Sequence, residues 1–196
     1  MWAVFRVPAW LLAVCLIFPS FAFAAEKPSD VRIIIDISGS MKENDPNNLR
    51  IPALKLLVEM LPEGSQAGVW TFGKYVNMLV PLGPVDDKWR KVARDKANAI
   101  NSVGLRTNIG SALEKAAWKV KADSGFKHSV ILLTDGMVDI SKDAKNQKER
   151  RRILEKVVPR YREQGASIHT IALSDNADVD LLEQIALETR GMSAVA

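Results

Sequence analysis

The run Val31-Arg32-Ile33-Ile34-Ile35-Asp36-Ile37-Ser38-Gly39-Ser40-Met41 limits the fold more than any other stretch of this chain. Its β-branched residues form a near-continuous apolar segment that stops at a carboxylate. A strand with one solvated face alternates apolar and polar residues. A strand covered on both faces does not, and such strands belong to parallel sheets flanked by helices. Open sheets of that kind bind ligands beyond the carboxyl ends of their strands. There the chain places Asp36, Ser38 and Ser40 around Gly39. One anionic and two neutral oxygens on a tight loop are donors for a hard cation such as Mg2+. Asp, Ser and Gly also form ordinary turns, so the loop by itself leaves a plain strand-to-turn junction open.

With 196 residues, the chain has the length of one domain. Residues 1–24 read as a secretory signal peptide. Arg6 is the only charge, Val7 to Phe18 is apolar, Pro19 breaks the run, and Ala22-Phe23-Ala24 suits a small-x-small cleavage site. An uncleaved anchor is the competing reading, because Val7 to Ala25 approaches spanning length. Residues 25–196 then form the exported domain, in the periplasm or elsewhere in or beyond the envelope. The one cysteine, Cys15, falls in the leader, where Val14 is too bulky for a lipoprotein cleavage box. The mature part therefore needs neither a disulfide nor a thiolate ligand. A formal charge of +4, one unit of it from Arg6, is too small to indicate nucleic acid.

Along the chain, Asp30 to Ile37 is the first strand and Lys42 to Asn48 a polar turn segment. A helix is predicted from Asn48 to Leu61, with Leu49, Ala53, Leu56, Leu57 and Met60 on its buried face. Ala67 to Phe72 and Val76 to Leu82 are joined by so short a turn that they must form an antiparallel hairpin. Helices follow at Asp86 to Ile100, where Trp89, Val92, Ala93 and Ala97 face inward, and at Ile109 to Ala122. His128 to Thr134 is another buried strand that stops at a carboxylate, Asp135. The longest helix lies within Asp143 to Gln164, and it carries nine Lys or Arg between Lys142 and Arg162. Ile153, Leu154, Val157, Val158 and Tyr161 form its buried face, so those charges read as a solvated outer face. Ala166 to Leu173 is a strand, Asp178 to Thr189 a helix, and Gly191 to Ala196 the start of a further strand. This order predicts an α/β fold: a doubly wound, mostly parallel sheet with one antiparallel hairpin strand and helices on both faces.

Asp36 and Asp135 should end neighbouring strands near the middle of that sheet, at its topological switch point. The loop Gly104-Leu105-Arg106-Thr107-Asn108 opens a helix and can bring the Thr107 hydroxyl to the same edge. Asp36-Ile37-Ser38-Gly39-Ser40, Thr107 and Thr134-Asp135-Gly136 together resemble the metal-ion-dependent adhesion site of the von Willebrand factor type A (VWA) domain, in an exported bacterial form. The resemblance covers about Asp30 to Ala196. It implies a Rossmann-like fold and a metal, Mg2+ with Mn2+ or Ca2+ as substitutes. Ser38 and Ser40 would ligate the ion directly, and Thr107 would do so when ligand is engaged. Asp36 and Asp135 would act mainly through waters and by holding the hydroxyls. With few anionic groups in direct contact, the ion keeps positive character and an open position. It can then take an Asp or Glu from a partner protein. Arg106, Asn108 and Gly136 are the candidate partner contacts, with Arg106 reading equally as a solvated loop charge.

The leading expectation is thus a non-enzymatic, metal-dependent protein-binding module. It would touch a membrane only through an uncleaved leader or an anchor in a longer C-terminal region. An Mg2+-dependent hydrolase with an aspartate at the strand end is the alternative, but the second acid such chemistry uses is replaced by Ser38. Neither histidine is placed beside a candidate serine, and no nucleophile elbow or phosphate-binding loop occurs. A degenerate scaffold domain with an empty site is the third reading. Asn44, Asp45 and Asn48 read as turn and cap residues rather than supports of the metal loop. His169 reads as a satisfied core histidine, and His128 as lying at the far edge from the site. Tyr75 is given no role. The end of the chain within the last expected strand, without a closing helix, is read as a piece of a longer protein.

Overall fold

The computed structural model describes residues 27–135, 137–174 and 177–196. The expected signal peptide and Cys15 lie outside them, as does Gly136. The elements are β1 (Ser29–Asp36), α1 (Met41–Asn44), α2 (Arg50–Met60), β2 (Gln66–Phe72), β3 (Val76–Pro84), α3 (Asp87–Ala97) and α4 (Ile109–Ala116). They continue as β4 (Lys127–Thr134), α5 (Asp143–Arg152), α6 (Val158–Glu163), β5 (Ser167–Ala172), α7 (Val179–Glu188) and β6 (Ser193–Val195). The strands form one sheet in the order β3-β2-β1-β4-β5-β6. β1 pairs in parallel with both β2 and β4, and only β2–β3 is antiparallel. The chain thus crosses from one half of the sheet to the other between β1 and β4, as the sequence predicts.

β1 shows why an unbroken apolar run was needed. Val31, Ile33 and Ile35 point into a core layer with Leu54 and Val58 of α2 and Trp89, Ala93 and Ala97 of α3. Ile34 points to the opposite layer, built from Leu113 of α4, Tyr161 of α6 and Leu181, Leu182 and Ile185 of α7. Both faces are buried, and each such side chain contributes about 1.5–3 kcal/mol. Arg32 shares the Ile34 face. Its guanidinium is held by Asp30 and donates to the carbonyls of Ala116 and Trp118, at the end of α4. A cation there satisfies carbonyls that have no partner within the helix. α4 accordingly stops at Ala116, six residues before the predicted end.

The expected rotation of α2 is not observed. Leu54 and Val58 are buried with Arg50, whereas Leu49, Leu56 and Met60 are 63%, 64% and 70% exposed. Apolar residues surround this helix, so their spacing selects no single face. Its rotation is set by Arg50, which must point inward to reach Asp45 and the end of β1. Val92 of α3, also expected inward, is exposed instead. The long fourth-quarter helix is continuous but widens to a π turn at Ile153–Val157, where the Val158 N–H donates to the Ile153 carbonyl. Pro159 follows, and its ring and missing N–H are accommodated by the wider turn. Ile153, Val157, Val158 and Tyr161 are buried and the basic residues flank them outside, as expected.

Candidate metal centre

The end of β1 and the end of β4 are adjacent because Ile35 is in register with Leu133. Asp36 is fully buried, and both its oxygens are engaged. Oδ1 accepts from the Ser38 N–H at 2.8 Å, and Oδ2 accepts from the Thr134 hydroxyl at 2.6 Å. Burial outweighs those two bonds and pushes its carboxyl up from 3.8 to about 6. The first bond curls the chain so that the Ser38 and Ser40 hydroxyls point the same way, 3.1 Å apart. Both face Asp135 Oδ1, at 3.4 Å from Ser38 and 3.2 Å from Ser40. Asp135 Oδ2 accepts from the Asn44 side-chain amide at 2.9 Å.

Ser38 Oγ, Ser40 Oγ and Asp135 Oδ1 therefore form a triangle with edges of 3.1, 3.2 and 3.4 Å. Adjacent ligands of an octahedral Mg2+ with bonds near 2.1 Å lie about 3.0 Å apart. The triangle is close to one face of such an octahedron, so these residues fit the ion. Among the described residues, no group of three or more His, Cys, Asp or Glu is set to hold a metal. The donor set here is mainly hydroxyl, which suits a hard cation.

Thr107 is buried on the neighbouring loop. The Gly104 N–H donates to the Ile37 carbonyl at 2.8 Å, laying this loop alongside Ser38. A Cβ on Gly104 would stand 2.7 Å from that carbonyl oxygen, so only glycine permits the approach. On the other side Thr107 and Asp139 exchange two backbone hydrogen bonds of 2.8 and 3.0 Å. Among the described residues, no hydrogen bond joins Thr107 to the serines. Arg106 is exposed with φ 65° and donates to Asp139 at 2.9 Å. Asn108 caps α4 by accepting from the Ser111 N–H at 3.1 Å.

The main support of the site is a residue that sequence reading passed over. Arg50 is 2% exposed, and its guanidinium fans out over three segments. It pairs with Asp45 at 2.6 Å and donates to the Asp36 carbonyl at 2.6 Å, the Asn48 amide oxygen at 2.7 Å and the Ser102 hydroxyl at 2.9 Å. Asp45 also accepts from the Leu49 and Arg50 N–H groups. Asp45 and Asn48 are thus more than turn and cap residues, and Asn44 touches Asp135 directly. The available signal was an Asp five residues before an Arg, in a polar segment directly after the metal loop. Asp139, which closes the Thr107 loop, gave no sequence signal of its own.

The histidines complete the comparison with expectation. His169 is partly exposed at the β6 edge and accepts from the Met192 N–H at 3.2 Å; burial and Lys127 lower its pKa. His128 lies at the opposite end of the sheet from the metal loop, but it does stand beside a serine, contrary to the sequence reading. Its Nε2 is 2.7 Å from Ser124 Oγ and its Nδ1 is 2.8 Å from Asp30 Oδ2. Ser124 is separated from His128 by a turn that folds back, which adjacency in sequence does not reveal. These distances match an acyl-transfer triad, but two contacts oppose that use. Asp30 is held by Arg32, and the Lys121 carbonyl lies 2.9 Å from Nε2 and competes for the same nitrogen.

The comparisons with known proteins agree with this geometry. The family model for the von Willebrand factor type A domain matches residues 30–195. Similar solved structures include von Willebrand factor type A from Catenulispora acidiphila, with a TM-score of 0.71 and 19% identity. Proximal thread matrix protein 1 from the mussel byssus, with a zinc-occupied MIDAS motif, gives 0.63 and 20%. Manganese-loaded Plasmodium vivax TRAP protein gives 0.63 and 22%. The matches cover 87%, 85% and 82% of this chain, but only 39%, 43% and 63% of the respective partners. At such identities the likeness is one of fold. No curated protein matches the sequence. No helix among the described residues is long and apolar enough to cross a membrane. With the family model spanning nearly all the described residues and the sheet built in the expected order, the chain belongs to the von Willebrand factor type A domain family.

Proposed function

We propose that this domain is an exported, non-enzymatic module that binds a partner protein through a divalent cation, Mg2+ in the first instance. The observation that carries the reading is the triangle of Ser38, Ser40 and Asp135 oxygens, whose edges fit one face of a magnesium octahedron. Ser38 and Ser40 would hold the ion through their hydroxyls, and Thr107 would join when a ligand is engaged. Asp36 would orient those hydroxyls, and Asp135, expected from the sequence to act mainly through water, would offer Oδ1 as the third corner of the triangle. The bound ion supplies a Lewis-acid position for a carboxylate of the partner. The zinc-occupied MIDAS motif of proximal thread matrix protein 1 and the manganese-loaded state of the TRAP protein support a divalent cation in this fold.

The setting of Asp36 favours binding over hydrolysis. A nucleophilic carboxylate needs a free oxygen facing the substrate. Asp36 is fully buried, with its oxygens turned to the Ser38 N–H and the Thr134 hydroxyl, so neither faces a substrate. The test is thermal unfolding in Mg2+, Mn2+, Ca2+ and chelator, paired with a screen of phosphate-ester substrates. A cation that binds only the folded chain raises the midpoint by mass action, and Ser38→Ala should remove that rise. Metal-dependent turnover abolished by the same substitution would overturn the reading.

A further inference from the structure

Four of the most exposed large apolar side chains stand on loops at the edge of the sheet that carries the metal loop. Tyr75 is 70% exposed, Val103 69%, Leu105 72% and Met137 63%. Apolar side chains exposed singly are ordinary, whereas ones gathered around a single cleft mark a contact surface. Tyr75, Val103 and Leu105, with Ile37 and Lys74, bound a cleft of about 250 Å³. That is below the usual size of a small-molecule site, roughly 300–1,000 Å³, and suits a single side chain.

The cleft is built into the metal loop. Ile37 in its wall precedes Ser38, and Gly104, also in its wall, is bridged to Ser38. Lys74 stands at the rim with its ammonium 5.2 Å from the centre of the Tyr75 ring. Among the described residues it has no ion-pair partner. A bound cation and this ammonium both favour an anionic segment, while the cleft walls favour an apolar one.

Resting on the proposed metal-dependent function, we infer that the partner presents an extended segment in which a large apolar side chain lies two residues from the metal-engaging Asp or Glu. In an extended chain residues i and i+2 share a face, about 7 Å apart. The cleft adjoins the metal loop through Ile37 and Gly104, so this spacing would let one side chain engage the ion and the other the cleft.

The experiment is selection of a phage-displayed library of random heptapeptides on the full chain in millimolar Mg2+, with elution by chelator. Enrichment of Asp or Glu with Phe, Leu, Ile or Trp two positions away is expected. Replacing that apolar residue by Ser in a selected peptide should weaken binding about tenfold to a hundredfold. Val103→Ser combined with Leu105→Ser, both exposed and so compatible with folding, should erase that difference while the Mg2+-dependent rise in melting temperature persists. Enrichment of an acid without an apolar neighbour would overturn this inference and leave metal-dependent binding intact. Cleft-dependent peptides that stay bound through the chelator and are recovered only afterwards would overturn the coupling of cleft and ion. Failure to select any peptide, with the melting rise present, would overturn both this inference and the proposed engagement of an acid.

Discussion

Replacing Arg50 by Met should damage the fold and the metal site together. The guanidinium is buried and joins the end of β1, the Asp45–Asn48 segment and the loop that carries Ser102. Methionine retains much of the aliphatic volume but leaves the buried Asp45 carboxylate without its cation. Removing one member of a buried ion pair costs about 3–5 kcal/mol. Asp45 keeps two backbone donors, from Leu49 and from residue 50 itself, which places the loss near the lower end, about 3 kcal/mol. For a domain of this size that is a fall of roughly 6–12 °C in melting temperature. Denaturant unfolding in chelator measures it, and Mg2+ titration should also show weaker binding because the Asp36 carbonyl and the Ser102 loop are no longer tied. Adding Asp45→Asn removes the unpaired charge and should recover more than half of the stability. A loss below about 1 kcal/mol, or no recovery in the double variant, would refute the reasoning.

Gly104→Ala should weaken Mg2+ binding more than it destabilises the fold, by forcing the Thr107 loop off the Ile37 carbonyl. Calorimetric titration beside urea unfolding checks this, and wild-type affinity would count against it. For Asp36, burial raises the folded pKa to about 6 from 3.8. Its contribution to stability without metal is thus present in full below about pH 3.8 and is lost as pH rises through about 6, a change of about 3 kcal/mol. Unfolding in chelator should show that decline in the wild type and its absence in Asp36→Asn; parallel curves would refute it. Ser124 should not react with a fluorophosphonate probe, because Arg32 holds Asp30 and the Lys121 carbonyl competes for His128. Labelling that disappears in Ser124→Ala would show otherwise.

Most of the metal centre was legible because its parts are marked locally. Asp36-Ile37-Ser38-Gly39-Ser40 and Thr134-Asp135 each follow a buried strand, and Thr107 precedes a helix whose N-cap, Asn108, is a standard capping residue. Such junctions are set by short-range backbone preferences that a linear reading can weigh. Arg50 was not legible, since a lone arginine at a helix start usually faces water. Its role exists only because Asp45, Asp36, Asn48 and Ser102 converge on it. Asp30, Ser124 and His128 likewise meet through strand pairing and a turn, far from one another in the order of the chain.

The sequence by itself determined the class of sheet, the central placement of β1 and the chemistry at its end. A strand apolar on both faces has few stable settings, and Asp-x-Ser-x-Ser carries its donors with it. Tertiary structure alone decided which face of α2 is buried, where α4 ends and what braces the metal loop. Those outcomes depend on where buried guanidinium groups find their acceptors: Arg50 turns α2 inward, and Arg32 closes α4. A buried charge must be paired across the fold, and its partners are chosen by packing rather than by spacing along the chain.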